Sequence, residues 1–180
     1  MIILYVFIVV LLILSGTGLI VYIAIRSAGR QNREYEEYAK INNFQFDKGM
    51  VKVGNYRDYS KNTINLGLKI PNKGTYIDKY ANYLSYPFGR GIEKQVSYII
   101  KGKYKSNSFK AFNYQFTGSM IDGGGKGGVF KIIMLEGVKK PSLTPNNTFY
   151  ESDTLCYYDS GNLDVNEIKS VLDELINLIN

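Results

Sequence analysis

The chain has 180 residues, 45% of them hydrophobic and 21% charged, which is enough for one compact domain plus an extra segment. It has no histidine and one cysteine, Cys156, which excludes an intramolecular disulfide, histidine-based zinc sites and Ser-His-Asp or Cys-His catalysis, and agrees with a reducing compartment. The formal charge is +6, but three arginines stand without an acid in the first 33 residues; the remaining 19 basic and 16 acidic side chains make an ordinary surface, with no stripe or motif for nucleic acid.

Residues 1–25, MIILYVFIVVLLILSGTGLIVYIAI, carry no charged side chain, and only Ser15, Gly16, Thr17 and Gly18 interrupt the aliphatic run. A bilayer core of ~30 Å takes about 20 helical residues, so this stretch predicts a transmembrane helix. No basic residue precedes the run, and it exceeds the ~7–15 apolar residues of a signal peptide, so an uncleaved anchor is expected. Arg26, Arg30 and Arg33 come directly after it and are suited to anionic lipid headgroups. By the positive-inside rule they place the N-terminus outside and the rest of the chain in the cytoplasm. The expected organisation is a transmembrane helix over 1–25, a juxtamembrane helical linker over 26–43 and a cytoplasmic α+β domain over 44–180.

EYEEYAKI, residues 34–41, prolongs the helix by a turn or two before Asn42-Asn43 ends it. Residues 44–53 give a weak strand signal, and 54–74 read as loop with one short strand around 64–70. TYIDKYANYL predicts a helix over 76–84, with Thr75 as N-cap, Asp78 three residues on, and Ile77, Tyr80, Ala81 and Leu84 on one face. YPFGRG, at 86–91, breaks it. Three runs rich in β-branched and aromatic residues, 94–104, 109–117 and 129–136, predict strands. A four-residue turn, 105–108, joins the first two as a hairpin. In the second strand Phe112, Tyr114 and Phe116 alternate with Ala111, Asn113 and Gln115, which implies one apolar and one polar face.

Between the second and third strands lies IDGGGKGGVF, with five glycines around Lys126. A phosphate-binding loop needs G-x-x-x-x-G-K-[ST] running from a strand into a helix. Here Gly127 stands after the lysine, Met120 stands where the first glycine belongs, and the stretch leads into a strand instead of a helix. It therefore reads as a hairpin connection. Further on, residues 149–151 and 154–158 predict two strands separated by Ser152-Asp153, with a turn at 159–162. Asp164 as N-cap and Glu167 at the third helical position open a helix whose Ile168, Val171, Leu172, Leu175 and Ile179 form an apolar stripe. Glu151, Asp153 and Asp159 can approach one another across a hairpin, but their spacing matches no calcium loop, and solvated turn residues are the plainer reading. Cys156, in LCYY, reads as a small buried hydrophobe.

Residues 86–118 resemble a pattern of uncharacterised bacterial membrane-anchored proteins. In them a Pro-Phe-Gly turn (here Pro87-Phe88-Gly89) precedes a strand ending G-x-Y (Gly102, Lys103, Tyr104) and a strand F-x-A-F-x-Y-x-F (Phe109 to Phe116). The ending is similar too, with Leu155, Tyr158, Gly161 and Leu163 in a strand and turn before a helix. The resemblance covers about half the chain and implies architecture alone, since it offers no catalytic residue.

The expected fold is therefore α+β: a transmembrane helix, then an antiparallel sheet of four to six strands covered by the C-terminal helix. A pleckstrin-like half-open barrel is one form this can take. The expected function is a non-catalytic, membrane-tethered binding or scaffolding domain without cofactor or metal. Its partners are the membrane and a protein, and Tyr76, Tyr80, Tyr83 and Tyr86 are the candidate partner-binding residues, drawn from sixteen tyrosines. Two further classes stand beside it: an immunity or inhibitor protein capturing a toxin or enzyme at the inner membrane, and a histidine-free enzyme using carboxylates or tyrosines.

Overall fold

A computed structural model describes residues 2–49, 73–90, 93–117 and 127–180. The segment 54–72, with its expected short strand, and most of the glycine-rich stretch lie outside the described residues. The chain is α+β: α1 (Ile2–Ile41), β1 (Gln45–Gly49), α2 (Lys73–Tyr80), β2 (Glu93–Tyr104), β3 (Asn107–Thr117), β4 (Gly128–Glu136), β5 (Thr148–Glu151), β6 (Thr154–Ser160) and α3 (Ile168–Ile179). The strands form one antiparallel sheet in the order β1-β2-β3-β4-β6-β5. Its edges are β1 and β5, and no pairing joins them among the described residues.

α1 is one helix of 40 residues, ~60 Å long. It passes through Ser15-Gly16-Thr17-Gly18 because both hydroxyls bond back into the preceding turn, Ser15 Oγ donating to the Leu12 carbonyl at 2.9 Å and Thr17 Oγ1 to the Ile13 carbonyl at 3.0 Å. Among the described residues no helix is long and apolar enough to cross a membrane. The helix stops as the two asparagines predict. Asn43 takes the left-handed conformation (φ 54°), its N–H bonds to the Lys40 carbonyl, and the Phe44 N–H bonds to the Ala39 carbonyl at 2.7 Å. This is a Schellman motif, and Phe44 packs on Tyr38 to complete it.

Both hairpins turn on two residues. Lys105 and Ser106 (φ 46° and 71°) connect β2 to β3, and Ser152 and Asp153 (φ 50° and 55°) connect β5 to β6. Positive φ at both central residues matches the twist of the flanking strands. Tyr104 pairs with Asn107, so the expected four-residue turn is two residues shorter. A β-bulge interrupts β2, where Tyr98 and Ile99 together oppose one residue of β3 and Tyr98 has φ 54°.

The sheet is buried on both faces, which corrects the expected polar face of β3. On one side Ile100, Phe109, Ala111, Ile133, Leu135 and Leu155 pack under α3, through Ile168, Val171, Leu172, Leu175 and Ile176, and under Tyr35 and Ala39 from the end of α1. Asn113 is buried because its Oδ1 accepts the Leu163 N–H at 2.6 Å. On the other side Val96, Ile99, Phe112, Tyr114, Phe116, Ile132 and Met134 pack under Tyr80, Ala81 and Phe88. Each side chain buried in this way contributes roughly 1.5–3 kcal/mol.

Two helix starts differ from expectation. α2 begins at Lys73 and ends at Tyr80, so Thr75 lies inside the helix and not at its start, and Leu84 lies beyond it. α3 begins at Ile168, after a turn in which Asp164 accepts the Asn166 N–H at 2.8 Å. The expected capping box does not form, because the Glu167 carboxylate turns instead to Lys131 Nζ at 2.6 Å.

Candidate interaction surface

The four candidate tyrosines separate by environment. Tyr80 is core, 2% exposed and in contact with Phe112. Tyr76 lies half-buried along Tyr80 and donates its hydroxyl to the Asp47 carboxylate at 3.0 Å; burial and then that bond push its pKa up to about 12. Tyr83 is half-buried between Phe88 and Phe149, its hydroxyl reaching Thr154 Oγ1 at 3.4 Å. Tyr86 is 45% exposed, its ring edge-on to Phe130 and Tyr158. Of the four candidates named from the sequence, the fold leaves Tyr86 open.

Beside Tyr86 stands Leu84, 89% exposed, which sequence reasoning placed on a buried helical face. The reason is Glu151, on edge strand β5. Its carboxylate accepts the Leu84 N–H at 3.0 Å and the Ser85 N–H at 3.0 Å, drawing the chain out of helical geometry. Burial acts to raise the Glu151 pKa, but the N–H groups of Leu84 and Ser85 outweigh it and hold the carboxyl below its usual range. The stretch then closes on itself: a β-carbon on Gly89 would collide with the Leu84 carbonyl, so only glycine fits there. Phe88 drops into the core against Tyr114, whose hydroxyl donates to the Phe88 carbonyl at 3.3 Å. Arg90 lies over the Tyr86 ring, 6.0 Å from its centroid. The outcome is a short fixed ledge presenting Leu84, Tyr86 and Arg90, of which tyrosine and arginine are residue types enriched where interfaces are anchored. Glu151, 67 residues from Leu84, gave no local signal in the sequence.

The other chemistry-bearing groups are engaged elsewhere. Asp153 accepts the Tyr150 hydroxyl at 3.0 Å, and Asp159 pairs with Lys131 at 3.4 Å, so with Glu151 on Leu84 and Ser85 each of these three carboxylates has its own partner. Lys131 also holds Glu167, which raises its pKa and fastens α3 to the sheet. The Cys156 thiol is fully buried, and burial raises its pKa well above the usual value. No cluster of three metal-ligating side chains occurs among the described residues. An open depression of about 390 Å³ is lined by Gly137, Val138, Lys139, Lys140, Tyr150 and Asp153. There the Tyr150 hydroxyl is already taken by Asp153 and by the Val138 carbonyl at 3.0 Å. Arg26, Arg30 and Arg33 are exposed along α1, clear of the sheet.

No family model matches the chain, and neither a curated protein nor a solved structure is similar to it. The residues alone carry the functional reading.

Proposed function

We propose that this chain is a membrane-tethered, non-catalytic binding module, anchored by residues 1–25 with its sheet domain in the cytoplasm and its N-terminus outside. The observation that carries the reading is the disposition of its reactive groups. The thiol is buried and the carboxylates of Glu151, Asp153, Asp159 and Glu167 hold structural bonds, while Leu84 and Tyr86 stand exposed on a ledge that Glu151 and Gly89 hold in place. A preformed apolar and aromatic ledge suits a protein partner, because little ordering remains to be done on binding.

The anchor is supported by the uncharged run 1–25, by the helix that continues through it, and by the exposure of Phe7, Leu12, Leu14 and Ile20, which nothing in the domain covers. Arg26 then lies at headgroup level on the cytoplasmic side, with Arg30 and Arg33 following above it within the field of an anionic surface. The test is a photo-crosslinking residue at Leu84 or Tyr86 of the full-length chain in native membranes. A discrete protein adduct is expected there and not from exposed Lys169 on α3. Turnover on a hydrolase or phosphatase panel, abolished by one carboxylate substitution, would sink the reading.

A further inference from the structure

The end of α1 and the adjoining strand β1 run in opposite directions side by side: Tyr38 meets Phe44, and Tyr35 meets Phe46, with ring centroids 6.2 and 6.3 Å apart. Since β1 is antiparallel to β2, β2 points the same way as α1, and its first residues lie toward the N-terminal end of the helix. Tyr35 also stacks on Tyr98 of β2 at 4.8 Å, which sets the two elements at one height.

A helix rises ~1.5 Å per residue and a strand ~3.3 Å. The nine residues from Arg26 to Tyr35 thus span roughly 14 Å, the same height that about four strand residues cover. Counting four back from Tyr98 arrives at Lys94. The register carries that height across the sheet to Phe116 and then Gly128, and Glu93 and Thr117 form the last pair beyond it. Arg90, exposed, lies shortly before β2 and over Tyr86, whose neighbour Phe130 pairs with Ser160 near the same end.

We infer that this rim of the sheet rests on the lipid headgroups, with Arg90 and Lys94 as the contacting side chains. The inference rests on the anchor reading of residues 1–25 and goes beyond it. An anchor alone allows the domain to stand off from the bilayer, whereas burial of Tyr35 and Ala39 in the core leaves no free linker between helix and sheet. Cationic side chains at that height meet the phosphates that Arg26 meets. The opposite rim, with the Lys105-Ser106 turn, faces away from the bilayer, and the Leu84–Tyr86 ledge opens sideways between them.

Single cysteines placed at Arg90, Lys94, Lys105 and Leu12, each labelled with a fluorophore in the full-length chain in anionic bilayers, test the arrangement. Lipids carrying a headgroup nitroxide are expected to quench the label at 90 and at 94 severalfold more than the label at 105. Lipids with a mid-chain nitroxide are expected to quench the label at Leu12. Quenching at Leu12 with equal, weak quenching at 90, 94 and 105 would overturn the rim contact and leave the anchor standing. Absence of quenching at Leu12 would overturn both. Arg90 is exposed, so a label there keeps the test decisive should the half-buried Lys94 site tolerate one poorly.

Discussion

The Glu151 carboxylate accepts two backbone N–H groups that no secondary structure would otherwise satisfy, and this decides where the Leu84 ledge sits. Its folded pKa is depressed, so the stability it supplies is present above the unfolded value of ~4.3 and is lost as pH falls through the lower folded value. Glu151→Gln should cost about 1 kcal/mol at pH 7, below the ~1.5–3 of a buried charge-assisted bond because water screens this one. Denaturant melts of the detergent-solubilised chain, followed by tyrosine fluorescence, should show that gap closing toward pH 3. A gap unchanged at acid pH would mean the carboxylate is not what holds the ledge. Cys156 makes a second residue-level prediction. Buried and held protonated, it should resist thiol reagents in the native chain and react at once in denaturant.

At the scale of elements, the parts legible in the sequence were those whose signal is local. The apolar stripe of α3 holds at Ile168, Val171, Leu172 and Leu175, and Ile179 packs partly at its end. Both hairpins and the asparagine stop of α1 are also where local patterns put them. What escaped were pairings between distant residues. Ala111 and Asn113 read as an outward face because a small residue beneath a helix, and an amide bonded to the Leu163 N–H, look polar or neutral in isolation. Tyr80 and Tyr83 stood among the partner-binding candidates because nothing nearby in the sequence announces Phe112 or Phe149 as their neighbours. The glycine-rich link gives a prediction at this scale. It joins two paired antiparallel strands, Phe116 opposite Gly128, so residues 118–126 should be replaceable by an Asn-Gly turn. Two successive halvings of the loop lower its closure cost by about 1 kcal/mol, and the melting temperature should hold or rise. Nucleotide-dependent stabilisation of the parent chain, lost in Lys126→Ala, would contradict a purely connecting role.

For the whole molecule, the three arginines after residue 25 fix an expected topology. A fluorescent protein fused to the C-terminus should be bright in a bacterial host, and an alkaline phosphatase fusion inactive; the reverse pattern would invert the orientation. In the proposed arrangement, the lateral ledge and the headgroup-facing rim restrict how a partner approaches, since a domain tethered without a hinge searches in two dimensions only. α1 is unbroken from Ile2 to Ile41, and its last turns are locked to the sheet through Tyr35 and Ala39. Its azimuth is therefore inherited by the whole sheet domain. Each helical residue turns the chain by ~100°, so one residue inserted after Arg30 should swing the sheet about a quarter turn around the helix axis. Seven inserted residues restore the phase to within about 20° while lifting the domain by ~10 Å, out of reach of headgroup quenching at Lys94. With residues 1–25 as the proposed anchor, the side of the domain offered to a neighbour in the membrane plane is written in the number of residues between Ile25 and Tyr35.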